Sequence, residues 1–246
     1  MTHLEAKERV AKLKEEIERH RYLYHVLDKQ EISDAALDSL KHELLKLETQ
    51  FPDLVTADSP TQRVGGEPLA EFKKVKHRAP MLSIEDVFSF EEAEDWRERI
   101  QKLIPSAKFD FYAEIKMDGL AVSLIYKKGI LDVGSTRGDG EIGENVTRNL
   151  KTIEAIPLKI HEPEEKEIAK FLHWRRQSGR DFNEKKLREF LSNPAELEAR
   201  CECFMPKKVF AALDKEQEKK HEPLFANPRN AGAGSIRQLD STVTAS

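Results

Sequence analysis

Phe109-Asp110-Phe111-Tyr112-Ala113-Glu114-Ile115-Lys116-Met117-Asp118-Gly119, running on into Leu120-Ala121-Val122-Ser123-Leu124-Ile125-Tyr126, is the stretch that decides the fold class. Its apolar period is two. Phe109, Phe111, Ala113 and Ile115 fall on one face, and Asp110, Tyr112, Glu114 and Lys116 on the other, which predicts a strand. Leu120 to Tyr126 and Ile130 to Ser135 read as two more strands, joined through Lys127, Lys128 and Gly129 as a hairpin. The core is therefore expected to be an antiparallel-type sheet.

Outward from this segment the period becomes helical. Upstream, Ser89 with Glu92 three residues later makes a capping box, and Ala93, Trp96, Ile100 and Leu103 form an expected buried stripe. Val10, Leu13, Ile17 and Tyr24 predict a helix from about Leu4 to Leu27. Ser33 is placed to cap a second helix carrying Leu37, Leu40, Leu44 and Leu47, which Pro52 ends. Residues 52–68 read as a linker. Downstream, the pattern predicts a helix from about Glu144 to Thr152 and a short strand around Ile156 to Ile160. A charged, mostly helical run follows over 162–194, then a strand from Leu197 to Phe204 and a helix from about Pro206 to Lys220. The organisation is α+β: a small helical domain with its linker over 1–68, then a sheet-containing domain over 69–246.

The chain has 246 residues, of which 39% are hydrophobic and 35% charged. No apolar run approaches a membrane span, and Met1-Thr2-His3-Leu4-Glu5 does not read as a secretory signal. Cys201 and Cys203 are too few and too close for a disulfide framework, so a reducing cytoplasm is expected. With a formal net charge of −4, DNA contact cannot be argued from overall charge and needs local patches.

Lys116-Met117-Asp118-Gly119 suits covalent nucleotide transfer. A lysine amine attacks phosphorus only after losing its proton, which burial or a neighbouring cation promotes. Gly119 leaves room for a nucleotide near the backbone. Alone, Lys-x-Asp-Gly is weak, since surface turns often contain it. One hairpin later stands Thr136-Arg137-Gly138-Asp139-Gly140-Glu141-Ile142-Gly143-Glu144-Asn145. Within it, residues 138–143 fit G-x-G-x-x-G. A dinucleotide-binding crossover is rejected because Asp139 and Glu141 would sit where a pyrophosphate belongs, and because the flanking strands form hairpins.

The combined pattern from Lys116 to Glu144 resembles the adenylation signature of bacterial NAD-dependent DNA ligases. Tyr22-Leu23-Tyr24-His25-Val26-Leu27-Asp28, Glu31-Ile32-Ser33-Asp34 and Asp58-Ser59-Pro60-Thr61-Gln62-Arg63-Val64-Gly65 are similar to that family's domain for nicotinamide mononucleotide (NMN). Leu224-Phe225-Ala226-Asn227-Pro228-Arg229-Asn230-Ala231-Gly232-Ala233-Gly234-Ser235-Ile236-Arg237-Gln238-Leu239-Asp240 resembles the family too. The resemblance implies that Lys116 takes AMP from NAD and releases NMN, and that AMP then passes to a DNA 5′-phosphate for nick sealing in replication and repair. It implies Tyr24, His25, Asp34 and Asp38 on the NMN half. Ser83 and Ile84 would line the adenosine pocket, Glu114 would read the adenine amino group, and Arg137 would contact ribose or phosphate. Glu202 would approach the ribose, and Asp118 belongs to the nucleotide-binding set. Arg229 and Arg237 are candidates for DNA phosphate contacts, against a purely structural pairing. NAD, magnesium and nicked double-stranded DNA are the implied ligands, and a monomer is expected. No residue is assigned to metal, and the family's zinc module has no counterpart here.

Four departures from the family pattern stand out. Leu37 replaces a tyrosine and loses its aromatic face, and Cys201 replaces a glycine and is expected to crowd the nucleotide. The 162–194 run is longer than the family's connection; it reads first as a solvated helical face, with DNA contact as the lesser reading. The chain also stops before the family's later domains, so sealing by it alone is not expected. An inactive NAD- or DNA-binding fragment, or an ATP-using nucleotidyltransferase, are the alternatives; only an NAD user needs the helical domain.

Overall fold

The computed structural model describes residues 1–27, 29–63, 69–84, 86–179, 181–192 and 194–245, and only the backbone of His25, Val26 and Asp34. Two helices open the chain, α1 (His3–Leu27) and α2 (Asp34–Gln50). Ser33 caps α2 as expected, its Oγ accepting from the Ala36 amide at 3.2 Å. Val10, Leu13 and Ile17 of α1 bury themselves against Leu44 and Leu47 of α2, with Leu37 and Leu40 packed alongside. The expected linker is partly built: 3-10 turns cover Pro52–Leu54 and Pro60–Gln62. The buried Ser59 hydroxyl donates to Glu48 at 2.7 Å, and Lys14 pairs with the same carboxylate at 3.0 Å. The rest of that stretch, 64–68, lies outside the described residues.

The second core is the sheet. Strands β2 (Leu120–Lys127) and β3 (Ile130–Thr136) form the expected hairpin, turning at Lys128 and Gly129, both at positive φ. Strand β5 (Glu196–Cys203) pairs with the other edge of β2, giving the order β3-β2-β5. A separate pair joins β1 (Lys74–Lys76) to β4 (Ile142–Glu144). Every strand pairing among the described residues is antiparallel. Val122, Leu124 and Tyr126 point into a core with Leu131, Val146, Leu150, Leu158 and Ile236. Burial pushes the Tyr126 phenol up to about 12, and its hydroxyl donates to the Pro157 carbonyl at 2.9 Å. Helices α4 (Thr147–Thr152), α7 (Lys207–Lys220), α8 (Pro228–Ile236) and α9 (Ser241–Ala245) surround the sheet. The charged run supplies α5 (Glu165–Gln177) and α6 (Glu184–Ser192).

Four expectations are corrected. Residues 107–118 carry the alternating pattern but form no strand, and Phe111, Tyr112 and Ile115 are exposed. Alternation gives a segment a strand-compatible pattern, but a strand exists only with a partner ladder, and none lies beside it among the described residues. Helix α3 (Phe90–Leu103) is capped by Ser89 yet buries none of its residues; Trp96 only leans on Phe111, at 5.7 Å between ring centroids. The helix expected from Glu144 starts at Thr147 because residues 142–144 pair with β1 instead, and the expected strand at 156–160 is a single bridge between Lys159 and Ile130.

The helical pair docks on the sheet domain through arginines. The buried Arg63 guanidinium donates to the carbonyl oxygens of Lys151 at 3.0 Å, Ile153 at 3.1 Å and Ile156 at 2.9 Å. Burial, with Arg21 nearby, pulls it down to about 10. Arg21 donates to the Glu154 carbonyl, and Lys41 reaches the Glu154 carboxylate at 3.5 Å. Burial works against ionisation of Glu154, but Arg21, Lys41 and Arg63 outweigh it and its pKa ends below normal. Replacing Arg63 by Met leaves three carbonyls without their charged donor. We expect a loss of about 3–5 kcal/mol on chemical denaturation, with Arg63→Lys recovering only part. Equal stability of wild type and Arg63→Met would refute this account of the docking.

Candidate functional site

The turn that follows β3 builds one wall of the site. Gly138 and Gly140 adopt φ +58° and +100°. The Asp139 carboxylate, held below its usual range by these bonds, accepts from the Ile142 amide at 2.7 Å and from Glu141 at 2.9 Å. A Cβ on Gly138 would lie 1.9 Å from the Ile142 carbonyl oxygen, and one on Gly143 1.8 Å from that of Thr136. These glycines serve the turn's own close backbone contacts, and the antiparallel strands leave no place for a parallel crossover. His77 braces the turn, its Nε2 lying 3.1 Å from the Arg137 carbonyl oxygen.

Opposite stands the segment ahead of β2. Gly119 is buried, and a Cβ there would lie 2.2 Å from the Cys203 carbonyl oxygen. The glycine is required by strand β5, before any nucleotide is considered. From this fixed point residues 114–118 run out along the rim with exposed side chains. Between the walls is a cleft of about 1120 Å³. It is lined by Glu114, Lys116 and Asp118 from the rim, by Arg137 and Asp139 from the turn, by Ser83 and Ile84, by Arg200 and Glu202 of β5, and by Arg229 and Arg237.

The cations are pre-positioned. Arg137 donates to Ser83 Oγ at 3.0 Å, and Arg229 stands 3.6 Å from Asp118 across the cleft mouth. Arg237 grips Glu144 through two bonds of 2.8 and 3.2 Å. This bonding holds Glu144 below the normal carboxylate range, so the clamp is intact at neutral pH and weakens as pH falls through that lowered value. Arg229 and Arg237 thus combine structural pairing with cleft exposure, since a guanidinium has five donors and each pair leaves some free.

Three lining residues were not singled out from the sequence. Arg200 donates to the Ala79 and Pro80 carbonyls at 2.7 and 2.8 Å, tying β5 to the 81–84 wall. Its signal was the two-residue spacing to Glu202. Glu144 was visible only as the end of the motif. Lys74 lies 3.6 Å from Glu144, and nothing in its local pattern marks it. Cys201 also belongs to the cleft lining; it stands opposite Val122 in the ladder, while Glu202 stands opposite Ala121, so the two side chains leave β5 on opposite faces.

Tyr24 and Asp38 are not brought to this cleft: both are exposed on the helical pair, and none of the lining residues comes from that pair. The side chains of His25 and Asp34 lie outside the described residues. Leu37 packs into the helical core.

Comparison with known proteins gives this geometry a family. Residues 69–190 and 181–246 match the NAD-dependent DNA ligase adenylation domain, and 3–65 match the DNA ligase-like, N-terminal NAD+-binding domain. The chain belongs to the NAD-dependent DNA ligase family. It is 47% identical over 243 residues to a DNA ligase of Geobacter sulfurreducens, covering 98% of this chain and 32% of that one. A DNA ligase of Pelotomaculum thermopropionicum is 46% identical, with 98% and 31% covered. The chain spans about a third of the length of the curated relatives it matches. No helix among the described residues is long and apolar enough to cross a membrane.

Gly143→Ala should force the β3–β4 turn open, costing about 1–3 kcal/mol and lowering the melting temperature. Gly232→Ala on α8, where the nearest atom to a Cβ is 3.8 Å away, should be neutral or slightly stabilising. Thermal denaturation of both separates the two cases, and an unaltered Gly143→Ala melt would show that the turn can relax.

Proposed function

We propose that this chain carries the self-adenylation step of an NAD-dependent DNA ligase, with Lys116 as nucleophile. One observation carries the reading: Lys116 shares a single cleft with Glu114, Asp118, Arg137, Glu202, Arg229 and Arg237. The Lys116 amine, after giving its proton to solvent, attacks the adenylyl phosphorus of NAD. An N–P bond forms, the bond from that phosphorus to the bridging pyrophosphate oxygen breaks, and NMN leaves with the electron pair. Transfer of this kind is mostly positioning and charge neutralisation. Arg137, held by Ser83, and the free donors of Arg229 and Arg237 face the phosphates. Glu114 and Glu202 are placed for the adenine and ribose, beside Ser83 and Ile84. Tyr24, His25, Asp34 and Asp38 are proposed for the NMN half.

The family reaction goes on to nicked double-stranded DNA, a substrate of replication and repair, and we extend the reading to it. A monomer working in the cytoplasm goes with this reading, in keeping with the free thiols of Cys201 and Cys203. Magnesium is implied by the family. Among the described residues, however, no three His, Cys, Asp or Glu groups converge to hold an ion.

Incubation with NAD followed by intact mass measurement tests the proposal. We expect wild type to gain one AMP and Lys116→Ala to gain none while melting at the same temperature. An AMP adduct on Lys116→Ala would put the nucleophile elsewhere.

A further inference from the structure

We propose that the α5–α6 hairpin is an additional DNA-contact arm that holds the phosphate backbone away from the nick. The inference rests on the ligase reading for its substrate, but on separate residues. The adenylation-domain family matches in two pieces, 69–190 and 181–246, which overlap within this hairpin over 181–190. Arg188 of α6 pairs with Glu165 at the start of α5, and Arg176 near its end pairs with Glu184 at the start of α6, at 2.6 Å in the second case. The helices are therefore antiparallel, with their connection at a tip.

Charge is segregated along that hairpin. Residues 162–167 hold four glutamates and one lysine, whereas 170–188 hold seven Lys or Arg against two acidic residues, in a chain of net charge −4. Arg175 lies over the Phe182 ring, 5.6 Å from its centroid, which ties the tip together. Lys170, Lys185 and Lys186 are exposed, and none makes an ion pair among the described residues. Trp174, one turn from Lys170, is 58% exposed. A basic surface on which these three lysines are uncommitted complements a phosphate backbone. The acidic residues at its base make a general affinity for anions along the whole hairpin unfavourable.

Position adds to the case. Both ends of the insertion are tied to the β2–β3 turn, through Ile160 N to Gly129 O at 2.8 Å and Lys128 N to Ala195 O at 3.0 Å. That turn is at the end of β2 remote from Lys116. Eight residues of strand span about 25 Å, roughly seven base pairs of duplex at 3.4 Å each. The arm would meet a nicked duplex well outside the reacting centre.

The test uses the 246-residue chain and a nicked duplex with about twenty base pairs on either side, long enough to reach the arm by the spacing above. Affinity is measured against salt concentration for wild type, for Lys170→Ala/Lys185→Ala/Lys186→Ala, and for the charge-matched control Lys7→Ala/Lys12→Ala/Lys46→Ala on α1 and α2. For the arm variant we expect at least about a tenfold loss of affinity and a salt slope smaller by about three, with the control unchanged. Adenylation by NAD should be equal in all three. If the alanine variant melts early, the Gln triple replaces it. Absence of wild-type binding, or an equal response of arm variant and control, overturns the arm; an acidic protein partner would give that second result. Failure of wild type to take AMP would instead strike the ligase reading and leave the DNA titration to be judged on its own.

Discussion

Strand β2 is hydrogen-bonded along both edges, to β3 over 122–127 and to β5 over 120–127, and its first residue follows a glycine pressed against the Cys203 carbonyl. That double pairing fixes where the chain emerges onto the cleft rim, and so fixes Lys116 to within three residues of a rigid point. The far end of β3 delivers Arg137, and the facing edge of β5 delivers Arg200 and Glu202. A shift of one residue in the β2–β5 ladder would exchange the faces on which Glu202 and Cys201 stand. The site is thus a property of sheet register before it is a set of reactive groups.

Around that frame the cleft cations are oriented by groups of the protein itself. Ser83 receives Arg137, Glu144 receives Arg237, and two backbone carbonyls receive Arg200. Donors fixed in advance need little rearrangement when a phosphate arrives, which is where electrostatic stabilisation of transfer chemistry gains most. The same pairs brace the walls: Arg237 to Glu144 joins the residue after α8 to β4, and Arg200 joins β5 to the 79–80 carbonyls.

Much of this was legible in residues. The α1–α2 pair followed from heptad-like leucines and from Ser33, and the hairpin from Lys128-Gly129, where two positive-φ residues are needed. Glu202 was reached through the family resemblance, and the alternation read over 197–204, carried through, would have put Cys201 on the face opposite to it. The strand expected at 109–116 was not realised, because period-two patterning marks a segment that fits a sheet without naming its partner. The stripe on α3 failed for the same reason: Trp96 and Leu103 have helical spacing, yet helical spacing does not say what they pack on. Lys74 and the Arg63 anchor were illegible, being defined by partners about seventy and ninety residues away in sequence. The separation of Tyr24 and Asp38 from the cleft likewise belongs to how the helical pair docks, which no local pattern encodes.

The cleft lining holds Lys74, Lys116, Arg137, Arg200, Arg229 and Arg237 against Glu114, Asp118, Asp139, Glu144 and Glu202. Six cations and five carboxylates nearly cancel, so at a distance the cleft has almost no field of its own. A small dinucleotide is then not drawn in from afar, and its encounter rate is that of unguided diffusion onto a small patch, on the order of 10⁵–10⁶ M⁻¹s⁻¹. Discrimination begins only at contact, where each charge is felt separately.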